Sequence, residues 1–179
     1  MTFAEFYILT NNKSDKGPDG NNLIDLFYSN EFTPIRFEKL NIVEIGVFRG
    51  DSMILLRDWF INSNITGIDH GLWMKSHELE FLNSIENINF IMDDCHNEIV
   101  INSFENNSID YLIDDGDHHL DSQIKTIKEY YPKLKKGGKL IVEDVQNFDS
   151  DRHRFDEIGI EYELIGYQKV PQPLLVFKK

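Results

Sequence analysis

From residue 41 onward, short apolar runs rich in β-branched residues alternate with segments whose apolar positions recur at helical spacing. The runs cover residues 41–46 (NIVEIG), 65–69 (ITGID), 88–92 (INFIM), 109–113 (IDYLI) and 139–143 (KLIVE), each of strand length. Between them lie residues 51–61, 75–84, 97–104 and 120–134, where Ile124, Ile127, Tyr131 and Leu134 mark one helical stripe. Strands that are apolar almost throughout are buried on both faces, so the alternation predicts a parallel sheet covered by helices on both sides. After Glu143 the pattern gives a short polar helix, a strand over 162–167, a Pro-flanked turn and a last strand over 174–178. Two closing strands joined so tightly predict an antiparallel hairpin at the sheet edge. The class is α/β, doubly wound.

No repeat, low-complexity tract or linker divides the chain, so residues 1–179 read as one domain. Residues 1–40 form a helix and loop cap, with a polar loop over 11–20 (NNKSDKGPDG), and residues 41–179 form the core. At 179 residues, 41% hydrophobic and 12% aromatic, the chain can bury a real core. Its net charge of −13 opposes phosphate backbones, so nucleic acid is not the expected partner. No stretch approaches the ~18 apolar residues that span a bilayer, and the first residues lack a signal-peptide pattern. No membrane partner is expected, and a cytoplasmic location is. The lone Cys95 excludes an intrachain disulfide and a Cys-built zinc site.

In an open α/β sheet, ligands bind beyond the carboxyl ends of the strands. Here those ends are acidic: Glu44 inside the first run, Asp69 after the second, Asp93 and Asp94 after the third, Asp114 and Asp115 after the fourth, Glu143 and Asp144 after the fifth. So many acids, each directly after an apolar run, point to a shared site. The first turn, residues 44–52 (EIGVFRGDS), is glycine-rich, and Gly46 and Gly50 allow sharp turning and close backbone approach. It is not the G-x-G-x-x-G of dinucleotide binders, and the Glu44 carboxylate would repel a pyrophosphate while welcoming a cationic ligand. Asp69 stands where an acid can accept both ribose hydroxyls of an adenosine.

These residues resemble the class I S-adenosylmethionine-dependent methyltransferases, whose first motif is similar to E-I-G-x-x-x-G-x-S here. The resemblance implies a Rossmann-like seven-stranded, mostly parallel sheet of order 3-2-1-4-5-7-6 with the last strand antiparallel. It also implies S-adenosylmethionine bound by Glu44, Gly46, Gly50, Ser52, Asp69, Asp94 and Asp114. A second set is similar to the metal-dependent sugar O-methyltransferases of antibiotic pathways, the macrocin, mycinamicin and novobiocin types. It comprises residues 113–119 (IDDGDHH), then Gln123, residues 136–138 (KGG), residues 142–144 (VED) and the upstream residues 14–17 (SDKG). That likeness implies Mg²⁺ held by Asp115, Glu143 and Asp144.

The chemistry is consistent with the likeness, since hard Mg²⁺ wants oxygen ligands and three carboxylates at adjacent strand ends could supply them. A bound hydroxyl would be oriented and acidified there. A general base must take its proton, and His118 is the first candidate, with Asp117 a rival. Other readings stay open. Asp114 could cap the following helix, His119 could be a solvated helix-start residue, and Lys16 could be an ordinary loop lysine or contact substrate or donor carboxylate. Cys95 and His96 stand where relatives often carry Gln. Trp73 and Met74 could wall an adenine pocket or pack in the core, and residues 151–154 (DRHR) read as a solvated helix start. The expected function is O-methylation of a sugar or glycosylated small molecule, in a monomer or a homo-oligomer. The alternatives are a donor-binding partner subunit without catalysis, or an NAD-binding protein of the same fold.

Overall fold

The computed structural model describes residues 1–17 and 22–179, so Pro18, Asp19 and Gly20 of the polar loop lie outside the described residues. Seven strands form one sheet: β1 (Asn41–Ile45), β2 (Asn64–Asp69), β3 (Ile88–Met92), β4 (Ile109–Asp114), β5 (Leu134–Val142), β6 (Tyr162–Ile165) and β7 (Leu174–Lys178). Their order is β3-β2-β1-β4-β5-β7-β6. The first five run parallel, and β7 is antiparallel to both β5 and β6. Sheet order and closing hairpin agree with the expectation.

Successive strand residues face opposite sides of a sheet, and this parity divides the core in two. Ile42, Ile113, Ile141 and Val176 join a cluster with α1 (Phe3–Thr10), α2 (Ser29–Phe32), α3 (Asp51–Trp59) and Leu82 of α4 (Ser76–Ser84). Val43, Leu112, Leu140, Val142, Leu175 and Phe177 join the other, under α5 (Glu98–Asn102), α6 (Leu120–Tyr130) and α7 (Phe148–Asp156). Among the described residues no helix is long and apolar enough to cross a membrane.

Three elements differ from the pattern reading. The helical stripe does not continue through Tyr131 and Leu134, because Pro132 lacks the N–H a helix needs. The chain turns once as a 3₁₀ helix over Tyr131–Lys133 and enters β5 at Leu134. The early start of β5 requires a register shift, with Ile109 opposite Leu134 but Tyr111 opposite Lys139. β6 stops at Ile165, before Gly166 turns at φ +78°. The cap also holds more helix than expected: a π-helical turn over Ile24–Tyr28 runs straight into α2.

The cap is fastened to the core by aromatic rings. Phe3 meets Phe32 at 5.4 Å and Trp59 at 5.3 Å, both edge-on. The Trp59 indole N–H donates to the Phe32 carbonyl at 3.1 Å, and the Arg36 guanidinium lies 4.2 Å above the Trp59 ring. Trp59 is fully buried, so Trp59→Ala should lose about 3–5 kcal/mol of unfolding free energy in urea titrations. An unchanged midpoint would contradict this account of the cap.

Candidate active site

The loops that leave β1 to β4 converge on a cavity of about 730 Å³ at the carboxyl edge of the sheet, with residues 13–15 of the cap on its wall. Backbone bonds stitch these loops together: Gly46 N–H donates to Ile68 O at 3.0 Å, and Asp115 N–H to Ile45 O at 2.9 Å. Gly46 has φ +82°, and a Cβ there would lie 1.9 Å from the Asp115 carbonyl oxygen, so only glycine allows this approach. Asp69 clamps the glycine turn: its Oδ2 accepts from the amides of Val47 (2.9 Å) and Phe48 (3.0 Å), and its Oδ1 from Gly71 (2.7 Å).

Behind the cavity is a buried cluster of charge. Glu44, Asp115 and Glu143 each follow by two residues a strand residue that faces the cap (Ile42, Ile113, Ile141), so all three carboxylates point the same way. The Lys16 ammonium descends from the cap among them, 2.6 Å from Asp115, 2.8 Å from Glu143 and 3.6 Å from Glu44, with its side chain only 5% exposed. Tyr28 donates to the same Glu143 oxygen at 2.5 Å, and Ser52 donates to Glu44 at 2.8 Å. Burial pulls the Lys16 ammonium down, but Asp115, Glu143 and Glu44 outweigh it and hold it well above its ordinary value. Burial pushes Glu44 up to about 7 against the pull of Lys16, and it pushes Glu143 up as well. Asp115 goes the other way, because Lys16 and His118 overcome the burial that would raise it.

At the rim, the second Asp115 oxygen meets His118 Nε2 at 3.2 Å, and His118 Nδ1 faces Asp144 at 3.7 Å. Asp115, His118 and Asp144 offer three ligand atoms within 4.8 Å of one another. His118 (φ +58°) and Asp144 (φ +50°) both adopt left-handed backbone, strain of roughly 1–2 kcal/mol each that the fold sustains to aim them. The hydrogen bond with Asp115 pushes His118 up to about 9.

The structure therefore brings Asp115, His118 and Asp144 together, while the Glu143 carboxylate shares Lys16 with Asp115 and accepts from Tyr28. Gly46, Ser52, Asp69, Asp94, Asp114, Asp115, Asp117 and His118 line the cavity, whereas Glu44 lies buried behind it and Gly50 starts α3. Asp114 faces the α6 side, where burial pushes its carboxyl up to about 6. The Asp117 carboxylate accepts from His119 N–H at 3.0 Å in the turn that leads into α6, and the exposed His119 is the residue before that helix. Trp73, 71% exposed, stands at the cavity mouth with Leu72 and Phe48, while Met74 packs on the core. Residues 151–154 lie in the body of α7, with Arg154 paired to Asp121. Sequence reasoning missed the burial of Lys16 and the part played by Tyr28. The strand parity of the three acids is the signal that could have found the lysine, because three buried carboxylates on one face require a cation.

The comparisons agree with this architecture. The chain matches the model of a methyltransferase domain family over residues 43–145, more than half its length, and it belongs to that family. It is 30% identical over 122 residues to the uncharacterised protein R132 of Acanthamoeba polyphaga mimivirus, covering 63% of this chain and 55% of that one. Among solved structures it is similar to MycE methyltransferase of the mycinamycin biosynthetic pathway in complex with Mg and SAH. That match has a TM-score of 0.71 and 18% identity, over 100% of this chain and 55% of MycE. It is also similar to Aeropyrum pernix fibrillarin with natively bound S-adenosyl-L-methionine (TM-score 0.66, 13% identity, 87% of this chain and 74% of that one). A third likeness is to a Methanococcus maripaludis S-adenosyl-L-methionine-dependent methyltransferase, so described as putative (TM-score 0.61, 19% identity, 94% and 95%). The fold is thus that of S-adenosylmethionine-dependent methyltransferases, and the chain spans about half the length of R132 and of MycE.

Two predictions follow from the buried charge. Lys16→Met strands three carboxylates without a cation and should cost about 3–5 kcal/mol in urea unfolding. Glu44 faces Lys16, Ser52 and, beyond the lysine, Asp115, and its carboxyl is raised from its ordinary 4.5 to about 7. A raised carboxyl contributes stability that is fully present below its ordinary value and lost as pH rises through the folded one. Between those limits wild-type stability should therefore fall more steeply than that of Glu44→Gln. Parallel slopes in the two proteins would contradict the assignment.

Proposed function

We propose that this chain is an S-adenosylmethionine-dependent, Mg²⁺-assisted O-methyltransferase acting on a hydroxyl of a sugar or sugar-containing small molecule. The observation that carries the reading is the juxtaposition of two features: a cavity built by the glycine turn, Asp69 and Asp94, and the Asp115–His118–Asp144 cluster at its edge. A wall rich in carboxylates suits a sulfonium donor and opposes a phosphorylated acceptor or nucleic acid.

The donor set fits a hard divalent cation, which takes carboxylate oxygens and keeps several waters. Asp115 and Asp144 would hold it, with Glu143 reserved for Lys16 and Tyr28. When bound, such a cation would supply orientation and acidity to an acceptor hydroxyl. His118, aimed by its left-handed backbone between the two acids, is then placed to take the hydroxyl proton. Asp117, exposed at the same rim, is the alternative base. Loops that held donor and acceptor in line would supply much of the rate gain of a methyl transfer.

The test is transfer of labelled methyl from S-adenosylmethionine to a panel of sugars and glycosides, with Mg²⁺ and with EDTA. Asp115→Ala should lower transfer at least about 100-fold while leaving S-adenosylhomocysteine binding within a few-fold. Full activity in EDTA or in that variant would overturn the metal assignment. A second reading, a donor-binding partner subunit, draws on the half-length match to MycE and R132. Donor binding with no labelled acceptor would favour it.

A further inference from the structure

The Lys16 ammonium sits at the centre of an all-oxygen set. Asp115 Oδ2 lies 2.6 Å from its Nζ, Glu143 Oε1 2.8 Å and Glu44 Oε1 3.6 Å. Glu44 is fully buried, and among the described residues its Oε1 has no hydrogen-bond partner, so that oxygen faces the ammonium alone. Hard divalent cations take oxygen ligands of this kind, carboxylates above all. The pocket that holds the ammonium therefore has the chemistry of an ion site. It adjoins the Asp115–His118–Asp144 group through Asp115, whose Oδ2 meets Lys16 and whose Oδ1 meets His118.

A cation supplied by the chain has two consequences for an ion at the rim. Glu143 Oε1 is engaged by Lys16 and Tyr28 at once, so the carboxylate beside Asp144 in sequence is held on the ammonium. The ammonium also places a like charge behind Asp115, and that charge opposes a second cation on the same carboxylate. The count of charged ligands sets the affinity of such sites over several orders of magnitude.

We propose that Lys16 is a resident substitute for the inner half of a divalent-cation site, keeping Glu143 out of the ion's coordination and the ion weakly held; this rests on the metal reading above. An ion left to two carboxylates keeps most of its waters, and those are the positions that acceptor hydroxyls can take. Lys16 is a positioning residue, acting on the ion through Asp115 and Glu143.

The experiment is titration of Mn²⁺ into wild type, Lys16→Met and Lys16→Met/Glu143→Gln, with free ion read by electron paramagnetic resonance. Lys16→Met should bind Mn²⁺ at least about tenfold more tightly than wild type, because Glu143 is released to the ion and the like charge is gone. The double variant removes one charge of each sign and should return to within a few-fold of wild type. A residue with a merely structural role would give equal or weaker binding on removal, and that result in Lys16→Met would overturn the proposal. Equal tightening in the double variant would overturn it too, since Glu143 would then have no part. Thermal unfolding in EDTA and in Mg²⁺ covers a variant that loses stability. Mg²⁺ should raise the melting temperature of Lys16→Met more than that of wild type, or restore its circular dichroism if it is unfolded in EDTA. A Lys16→Met chain that Mg²⁺ neither stabilises nor refolds would overturn the proposal. Binding by Lys16→Met with none by wild type would support Lys16 as the substitute while overturning the metal-assisted reading, and no binding by any of the three would overturn both.

Discussion

One ammonium group buried among three carboxylates governs how the cap, the sheet and the site fit together. Lys16 touches the ends of β1, β4 and β5 through Glu44, Asp115 and Glu143, and it arrives from a segment that the sheet does not contain. Burying charges costs several kcal/mol per ion, and mutual attraction offsets that cost only when every partner is present. Removal of Lys16 leaves three desolvated carboxylates without a cation. The cluster therefore acts as a lock, fastening the cap to three strand ends through Lys16.

The lock also sets the chemistry at the rim. One Asp115 oxygen is committed to Lys16, so the other is the one presented to His118 and the cavity. Glu143 is withdrawn in the same way, held by Lys16 and Tyr28. What remains at the surface is a two-carboxylate, one-imidazole group, small enough for a single ion or a single hydroxyl. The same economy appears at the glycine turn, where Asp69 spends its carboxylate on three backbone amides and so shapes the wall of the cavity.

Much of this was legible in the chain. The continuous apolar runs and the helical spacing between them gave the strand and helix order, because β-branched runs between amphipathic segments have few other solutions. Acids directly after those runs marked the carboxyl edge as the site. What stayed hidden were directions and partners. Whether Glu143 faces the rim or the cap follows from its parity with Ile141 and from the presence of a cation on that side, and the latter is a contact across 127 residues of sequence. The burial of Lys16 was invisible for the same reason, since a lysine in a polar loop is ordinarily solvated. The extent of α6 was misread because Tyr131 and Leu134 kept helical spacing past Pro132, and a missing N–H outweighs an apolar stripe.

The most direct test of the whole account is a crystal structure of the protein with S-adenosylhomocysteine and Mn²⁺, the ion located by its anomalous scattering. The account predicts the ligand in the cavity beside Asp69 and Asp94, and the ion between Asp115 and Asp144, with Lys16 still bonded to Asp115 and Glu143. An ion held by Glu143 with Lys16 displaced would contradict it, as would a ligand bound elsewhere on the sheet.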